Sequence, residues 1–318
     1  MTGVRGGDCT TREREIVRII GLDHQGLERI RDGYRRLAKR MQPEFEIVRE
    51  CHRSTTRVLY IGRSISDGRR VVIKTVAENA TDTTLNLFLN EIRVLSRGHN
   101  GLVPVLYSFR APGRPYYVMD LMAASLTRYC GRLSVAQTYS VAIAVVRTVA
   151  GMHSSFDIHG DLKPDNILLD SAGRVYVSDP IGNPSPLVAW LQPSYGGTPG
   201  YRAPEIRANL PISTRSDVYA FGATLSQMMT GIAPADGELI DLRIESCLRD
   251  PRLSEIVWRC CQPNPGNRPS MHEVLRLLGG ESWPDIKRGQ AINAVAIAAG
   301  LSALAWIMVT DLNSGSAA

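Results

Sequence analysis

At 318 residues, 44% hydrophobic and 21% charged, the chain has room for one large domain or two modest ones and the composition of an ordinary globular protein. Its formal net charge of +6 is mild and spread along the sequence. With no basic run of the kind that tracks nucleic acid, a nucleic-acid partner is not expected. The six cysteines show no C-x-x-C pair or metal spacing and read as reduced thiols.

Residues 1–44 read as an N-terminal extension. After a start of Gly, Thr and charge, apolar positions recur at helical spacing from Arg14 to Met41, predicting one or two amphipathic helices stopped by Pro43. The character changes at residue 45. "FEIVRE", "RVLYIGR" and "RRVVIKTV" predict a three-stranded antiparallel meander with Lys74 in its third strand. "TDTTLNLFLNEIRVLSR" predicts a helix capped around Thr81–Asp82 and carrying Glu91. "GLVPVLYSF" and "RPYYVMDLM" supply two more strands, so a small sheet-plus-helix lobe ends near Met122. Beyond it the pattern is mostly helical, over 125–155, 216–230, 237–249, 252–262 and 270–278. The fold class expected is α+β in two lobes, with the site between them, where clefts usually form.

One stretch breaks the helical pattern with chemistry. "HGDLKPDNILLD", 159–170, crowds carboxylates, a lysine and an asparagine against an apolar run, as a loop does when it holds charged groups over a site and then enters a short buried strand. Asp161, Lys163 and Asn166, at i, i+2 and i+5 of a tight loop, can point into one small volume. Phosphoryl transfer asks for that combination, positioning plus cationic clamping of spreading negative charge. Of the 37 basic residues only four are lysines (Lys39, Lys74, Lys163 and Lys287), so each lysine retained in an arginine-dominated chain carries weight.

"HGDLKPDN" resembles the catalytic loop H-R-D-x-K-x-x-N of eukaryotic-type protein kinases, and the resemblance covers about 45–279. It implies that Asp161 accepts or orients the substrate hydroxyl proton, that Lys163 neutralises the transferring phosphoryl group, and that Asn166 holds a magnesium ion. Asp179 in "VSDPIGN" stands where the family's D-F-G aspartate binds magnesium, with Pro180 and Ile181 replacing Phe and Gly. Lys74 in "VVIKTV" matches the lysine on the α/β-phosphates, and Glu91, seventeen residues on, its helical ion-pair partner. Met119 matches the gatekeeper, and Asp120–Met122 the hinge facing adenine, so Asp120 and Met122 join the nucleotide-binding set. "GTPGYRAPE", 197–205, resembles the substrate loop and its anchor. Glu205 would then pair with Arg268 in "CCQPNPGNRPS", and Asp217 in "STRSDVYAFG" would brace the catalytic loop. Lys163 together with Thr198 is the serine/threonine pattern, and the loop implies a polypeptide acceptor.

Two departures stand out. Aligned back from Val58, the nucleotide loop G-x-G-x-x-G-x-V reads "CHRSTTRV", 51–58, without a glycine. Glycines let backbone N–H groups approach phosphates closely. Either Arg53 or Arg57 contacts phosphate in their place, or the hairpin faces outward. Gly160 replaces the arginine that receives an activation-loop phosphate, so phosphorylation of Ser194, Tyr195 or Thr198 has no obvious docking partner, and control by another route is expected.

From Gly289 to Thr310 there is no charge, about a bilayer's thickness of helix, with Lys287 and Arg288 before it and Trp306 near its end. The domain expectation is therefore an extension over 1–44, a kinase domain over 45–279 (lobes 45–122 and 123–279), a linker 280–289, a transmembrane helix 290–310 and a tail 311–318. That layout implies a tail anchor with the kinase in the cytosol, the alternative being an Ala-rich helix packed on the lower lobe or a partner. Ala296 and Gly300 offer a small-x-x-x-small step for a homodimer. The functional expectation is a membrane-anchored serine/threonine protein kinase using ATP and Mg²⁺ on protein Ser/Thr hydroxyls. Its rivals are a pseudokinase scaffold and a small-molecule phosphotransferase.

Overall fold

The computed structural model describes residues 45–109, 115–182, 197–235 and 250–291. The predicted helices of 14–41 and 237–249, Ser194 and Tyr195, and the hydrophobic segment from 292 onward lie outside the described residues. The described residues divide into two compact units, one comprising those up to Ile92 with those of Pro104–Leu121, the other Arg93–Val103 with those from Met122 on.

The first unit is a five-stranded antiparallel sheet: β1 (Phe45–Arg53), β2 (Arg57–Ser64), β3 (Arg70–Val76), β4 (Val105–Phe109) and β5 (Tyr116–Asp120), in the order β1-β2-β3-β5-β4. Side chains alternate across a strand, so each strand can bury one row and present the other. Ile47, Val58, Tyr60, Val71, Ile73, Tyr116 and Val118 gather into one core cluster. Pairing of Leu59 with Lys74, and of Arg57 with Val76, puts these four on the opposite face, since cross-strand partners share a side. Helix α1 (Asp82–Leu95) starts where Thr81 Oγ1 accepts the Thr84 N–H at 3.2 Å. It buries Leu87, Phe88, Glu91, Ile92, Val94 and Leu95, a stripe at i, i+1, i+4, i+5, i+7 and i+8.

The second unit is helical around a small sheet, β6 (Ala124–Ser125), β7 (Ile167–Leu169) and β8 (Val175–Val177), in the order β6-β7-β8. Helix α2 (Val135–Ser154) opens on a reciprocal cap, Gln137 N–H to Ser134 Oγ and Ser134 N–H to Gln137 Oε1. Among the described residues α2 is the one helix long and apolar enough to cross a membrane, yet Ala142, Val146, Val149 and Met152 are fully buried, which marks it as a core helix. Then come α3 (Pro204–Arg207), α4 (Thr214–Thr230), α5 (Pro251–Cys260) and α6 (Met271–Leu278). Helix α4 is buried all round from Ser216 to Met228, capped by Ser213 and ended by Gly231 at φ 76°.

Two boundaries differ from the sequence expectation. The helix expected from 125 begins at Val135, because Leu126–Tyr129 form a 3₁₀ turn and Gly131 turns the chain at φ 75°. A Cβ at Gly131 would lie 2.8 Å from the Gly231 Cα, so only glycine allows the two backbones this approach. The strand expected over "GLVPVLYSF" begins at Val105, since Gly101 sits at φ 87° and Pro104 lacks a ladder donor.

Candidate active site

In the first unit, β3 carries Lys74 and α1 carries Glu91 into contact, Nζ to Oε1 at 2.8 Å, with both side chains about 95% buried. Two further donors reach the same carboxylate. The Tyr117 hydroxyl donates to Oε1 at 2.8 Å and Arg57 Nη2 to Oε2 at 3.0 Å. The Phe88 ring stacks on Tyr117 at 5.7 Å and supports the Arg57 guanidinium at 4.7 Å. A buried charge pair is tolerable only when its remaining hydrogen-bonding capacity is met, and here the carboxylate accepts from three side chains.

Met119 and Asp120 close β5. Met119 is buried and pairs with Val72, while the Asp120 carboxylate lies 3.3 Å from Arg69 Nη1. The Leu121 N–H donates to Arg70 O at 3.1 Å. Met122 is half-buried and is the residue with which the second unit resumes.

In the second unit the loop before β7 is organised by one buried carboxylate. Asp217, near the start of α4, accepts the His159 N–H on Oδ2 and the Gly160 N–H on Oδ1, each at 2.8 Å. His153 Nε2 meets Oδ2 at 2.8 Å as well. His159 accepts the Asp161 N–H through Nδ1 at 3.2 Å and meets Ser178 O through Nε2 at 2.9 Å, so the ring carries its hydrogen on Nε2. With its backbone pinned, the loop presents Asp161. Lys163 Nζ lies 3.0 Å from Asp161 Oδ2, and the Asn166 amide donates to Asp161 O at 2.8 Å and to Oδ2 at 3.2 Å. The Thr198 hydroxyl donates to Asp161 Oδ1 at 2.7 Å and accepts from Lys163 Nζ at 2.5 Å. Asp161, Lys163, Asn166 and Thr198 thus converge.

Asp179 follows Ser178, whose N–H donates to Asn166 O at 2.8 Å, and precedes Ile181, whose N–H donates to His159 O at 2.7 Å. Bonds on both sides tie it to the loop 159–166, and it adopts φ 59°, a left-handed conformation that Asp reaches more easily than most residues. Pro180 is buried, as a ring that fills space without the reach of a phenyl group.

Below the loop, Arg268 and Glu205 form a fork-to-fork pair, Nη1 to Oε1 at 2.6 Å and Nη2 to Oε2 at 2.7 Å. The other three guanidinium hydrogens go to the carbonyls of Gln262, Arg215 and Pro263, and the Tyr219 ring lies 5.1 Å beneath. All five donors are satisfied, which is what permits full burial of an arginine.

Sequence reasoning missed three parts of this apparatus. Nothing in the pattern marked His153, or the buried Asp157, which accepts from Arg97 at 2.6 Å and meets His99 at 3.2 Å. For Arg57 the sequence leaves phosphate contact and an outward position both open, and the structure turns it inward onto Glu91. Arg53 instead faces the surface, held by Glu50 at 2.7 and 2.8 Å.

Residues 54–277, more than half of the chain, match the family model described as "Protein kinase domain". The chain is 33% identical over 187 residues to the DNA damage-responsive serine/threonine-protein kinase RqkA of Deinococcus radiodurans, covering 54% of this chain and 27% of that protein. It is 29% identical over 243 residues to the serine/threonine-protein kinase Pkn1 of Myxococcus xanthus, covering 72% and 35%. With the serine/threonine-protein kinase PknK of Mycobacterium bovis it shares 27% over 282 residues, covering 80% and 25%. The matched stretch spans between a quarter and about a third of the length of these relatives.

Proposed function

This chain belongs to the protein kinase family, and we propose that it is a serine/threonine protein kinase that moves the γ-phosphoryl group of ATP to hydroxyls of protein substrates. The observation that carries this reading is the convergence on Asp161 of the Lys163 ammonium, the Asn166 amide and the Thr198 hydroxyl. A carboxylate with a hydroxyl already at 2.7 Å is placed to orient a second one and take its proton. The acceptor oxygen then forms a bond to the γ-phosphorus as the bond from that phosphorus to the β-bridging oxygen breaks, leaving ADP. Lys163 balances charge on the moving group, and Lys74, held by Glu91, grips the α/β-phosphates. Asp120 and Met122 are assigned to the adenine side, with Met119 as gatekeeper. Glu205, Arg268 and Asp217 hold the scaffold, and Thr198 serves the substrate loop.

The donor set fits magnesium. Asn166 spends its NH₂ on Asp161, which turns its oxygen elsewhere, and Asp179 adds a carboxylate. Among the described residues no group of three or more His, Cys, Asp or Glu could hold a metal alone. A few oxygen ligands supplemented by phosphate and water suit Mg²⁺, which dehydrates reluctantly. Held by Asn166 and Asp179, the ion would neutralise charge developing on the phosphates.

The extents we assign are a kinase domain over 45–279, a preceding extension, and a C-terminal helix over 290–310 that anchors the protein in a membrane with the kinase facing the cytosol, and that can pair two copies. The support for the anchor is the uncharged run from Gly289 to Thr310 after Lys287 and Arg288. Carbonate-resistant membrane association should vanish on truncation after Arg288; unchanged association would remove the anchor.

A pseudokinase is the second reading, favoured by the turn 54–56, which offers no glycine to the nucleotide. Labelled ATP, Mg²⁺ and a generic protein substrate decide between them. Label on Ser and Thr, and none on Tyr, is the expected result. Label on a small alcohol alone would revive a small-molecule phosphotransferase, and nucleotide-dependent thermal stabilisation without transfer would establish the scaffold.

A further inference from the structure

The turn between β1 and β2 commits three of its own amides internally. The Ser54 N–H donates to Arg57 O at 2.9 Å, and the N–H groups of Thr56 and Arg57 both donate to Ser54 Oγ, at 3.3 and 3.0 Å. A loop that cradles phosphates does so with free backbone donors. Here the donors of Ser54, Thr56 and Arg57, on either side of Thr55, are already spent, and every residue from Cys51 to Val58 carries a side chain.

Arg57 lies on the Lys74 face of the sheet and sends Nη2 to Glu91. Its other terminal nitrogen, Nη1, is buried and has no hydrogen-bond partner. Buried charged donors are rarely left without an acceptor, so an unused one marks a place where a ligand atom belongs. An anionic ligand oxygen would answer the open donor. Arg53, the other candidate, is committed to Glu50 at the surface.

We infer that Arg57 is a second phosphate ligand. It stays tethered to Glu91 through Nη2 and donates through Nη1 to the α- or β-phosphate of ATP, supplying from a side chain what glycine amides supply in the loop that this one resembles. The inference rests on the ATP-dependent reading of this site.

The test compares adenosine with ADP, which differ only in the phosphates. Binding of each, with Mg²⁺, is measured by calorimetry on the full chain, on Arg57→Met and on Arg57→Lys. Arg57→Met should weaken ADP by roughly 10- to 100-fold, as for a lost charged hydrogen bond, and leave adenosine within about twofold. Arg57→Lys should recover part of the loss, and KM for ATP should rise more than kcat falls. In a Glu91→Gln background, where the tether is weakened, Arg57→Met should still cost ADP affinity. Loss of that cost there would mean that Arg57 acts only through Glu91 and would overturn the inference, as would equal effects on both nucleotides or none on ADP. Those outcomes leave the kinase reading standing. A wild-type chain that binds neither ligand overturns both.

Discussion

A Cβ placed on Gly160 would lie 3.1 Å from the Cβ of Ile181 and 3.3 Å from the Ile212 Cδ1. Two departures from the family pattern therefore occupy one space: the loop 159–166 has glycine in place of the family's arginine, and the segment after Asp179 has isoleucine at 181. The Ile181 N–H to His159 O bond at 2.7 Å holds the two segments in this relation. Gly160 also sits at φ 81°, a left-handed conformation that costs an L-residue about 1–2 kcal/mol. Crowding a packed site adds about 1–3 kcal/mol. Restoring the arginine, Gly160→Arg, should lower the denaturant midpoint accordingly; an unchanged midpoint would show that the space is open.

Arg268 makes a sharper stability prediction. Its five donors and the Glu205 fork are enclosed, so Glu205→Ala leaves a fully buried guanidinium without its counter-charge. Removing one partner of such a pair costs about 3–5 kcal/mol. Chemical denaturation should register a loss of that order, while Arg174→Ala, whose partner Asp170 forms a solvent-exposed pair, should change little.

Acidification gives an independent handle on the end of the second unit. Burial works to raise the Glu273 carboxyl, but the Ser270 backbone N–H and the Lys287 ammonium outweigh it and hold the group below its ordinary 4.5. Glu273 also accepts from Gln290, tying the stretch 283–291 to α6. A depressed carboxyl contributes stability that is present above its unfolded value and is lost as pH falls through the folded one. Stability of the wild type should therefore fall more steeply below about pH 4.5 than that of Glu273→Gln, in urea titrations run at successive pH values.

What the sequence made legible was polar chemistry at short, fixed spacing. Asp161, Lys163 and Asn166 lie within six residues, and their convergence follows from a tight turn alone. Lys74 and Glu91 were legible because strand and helix periodicities on either side are clean. The strand β1 runs past the apolar pattern that marks it: Cys51–Arg53 is exposed and polar, and it extends the strand because His52 and Arg53 pair with Leu59 and Val58. Asp157 and His153 escaped notice since their partners lie 58 to 64 residues away in the chain, Arg97 and His99 for the first and Asp217 for the second. The inward turn of Arg57 depends on strand register, since a one-residue slip would send its side chain to the other face. No local pattern encodes that.

The Glu91 carboxylate is the common partner of Lys74, Arg57 and Tyr117, which makes it the residue whose loss should be felt most widely in the first unit. Glu91→Ala should cost about 3–5 kcal/mol in stability by removing the carboxylate that two cations share, and should abolish detectable transfer. Tyr117→Phe removes one donor and leaves the ion pairs, so it should cost only about 1 kcal/mol. Thermal denaturation of both variants beside the wild type checks the ordering, and equal losses would contradict a cage centred on charge.

The measurement closest to the central claim is the initial rate of phosphoryl transfer from γ-labelled ATP to a protein substrate, by the full chain and by Asp161→Asn. The amide keeps the shape of the carboxylate and removes its ability to take a proton. If Asp161 serves the acceptor hydroxyl, the rate should fall by about 10²–10⁴-fold while ADP affinity stays near the wild-type value. Equal rates in the two proteins, or no transfer by the wild type despite ADP binding, would contradict the account.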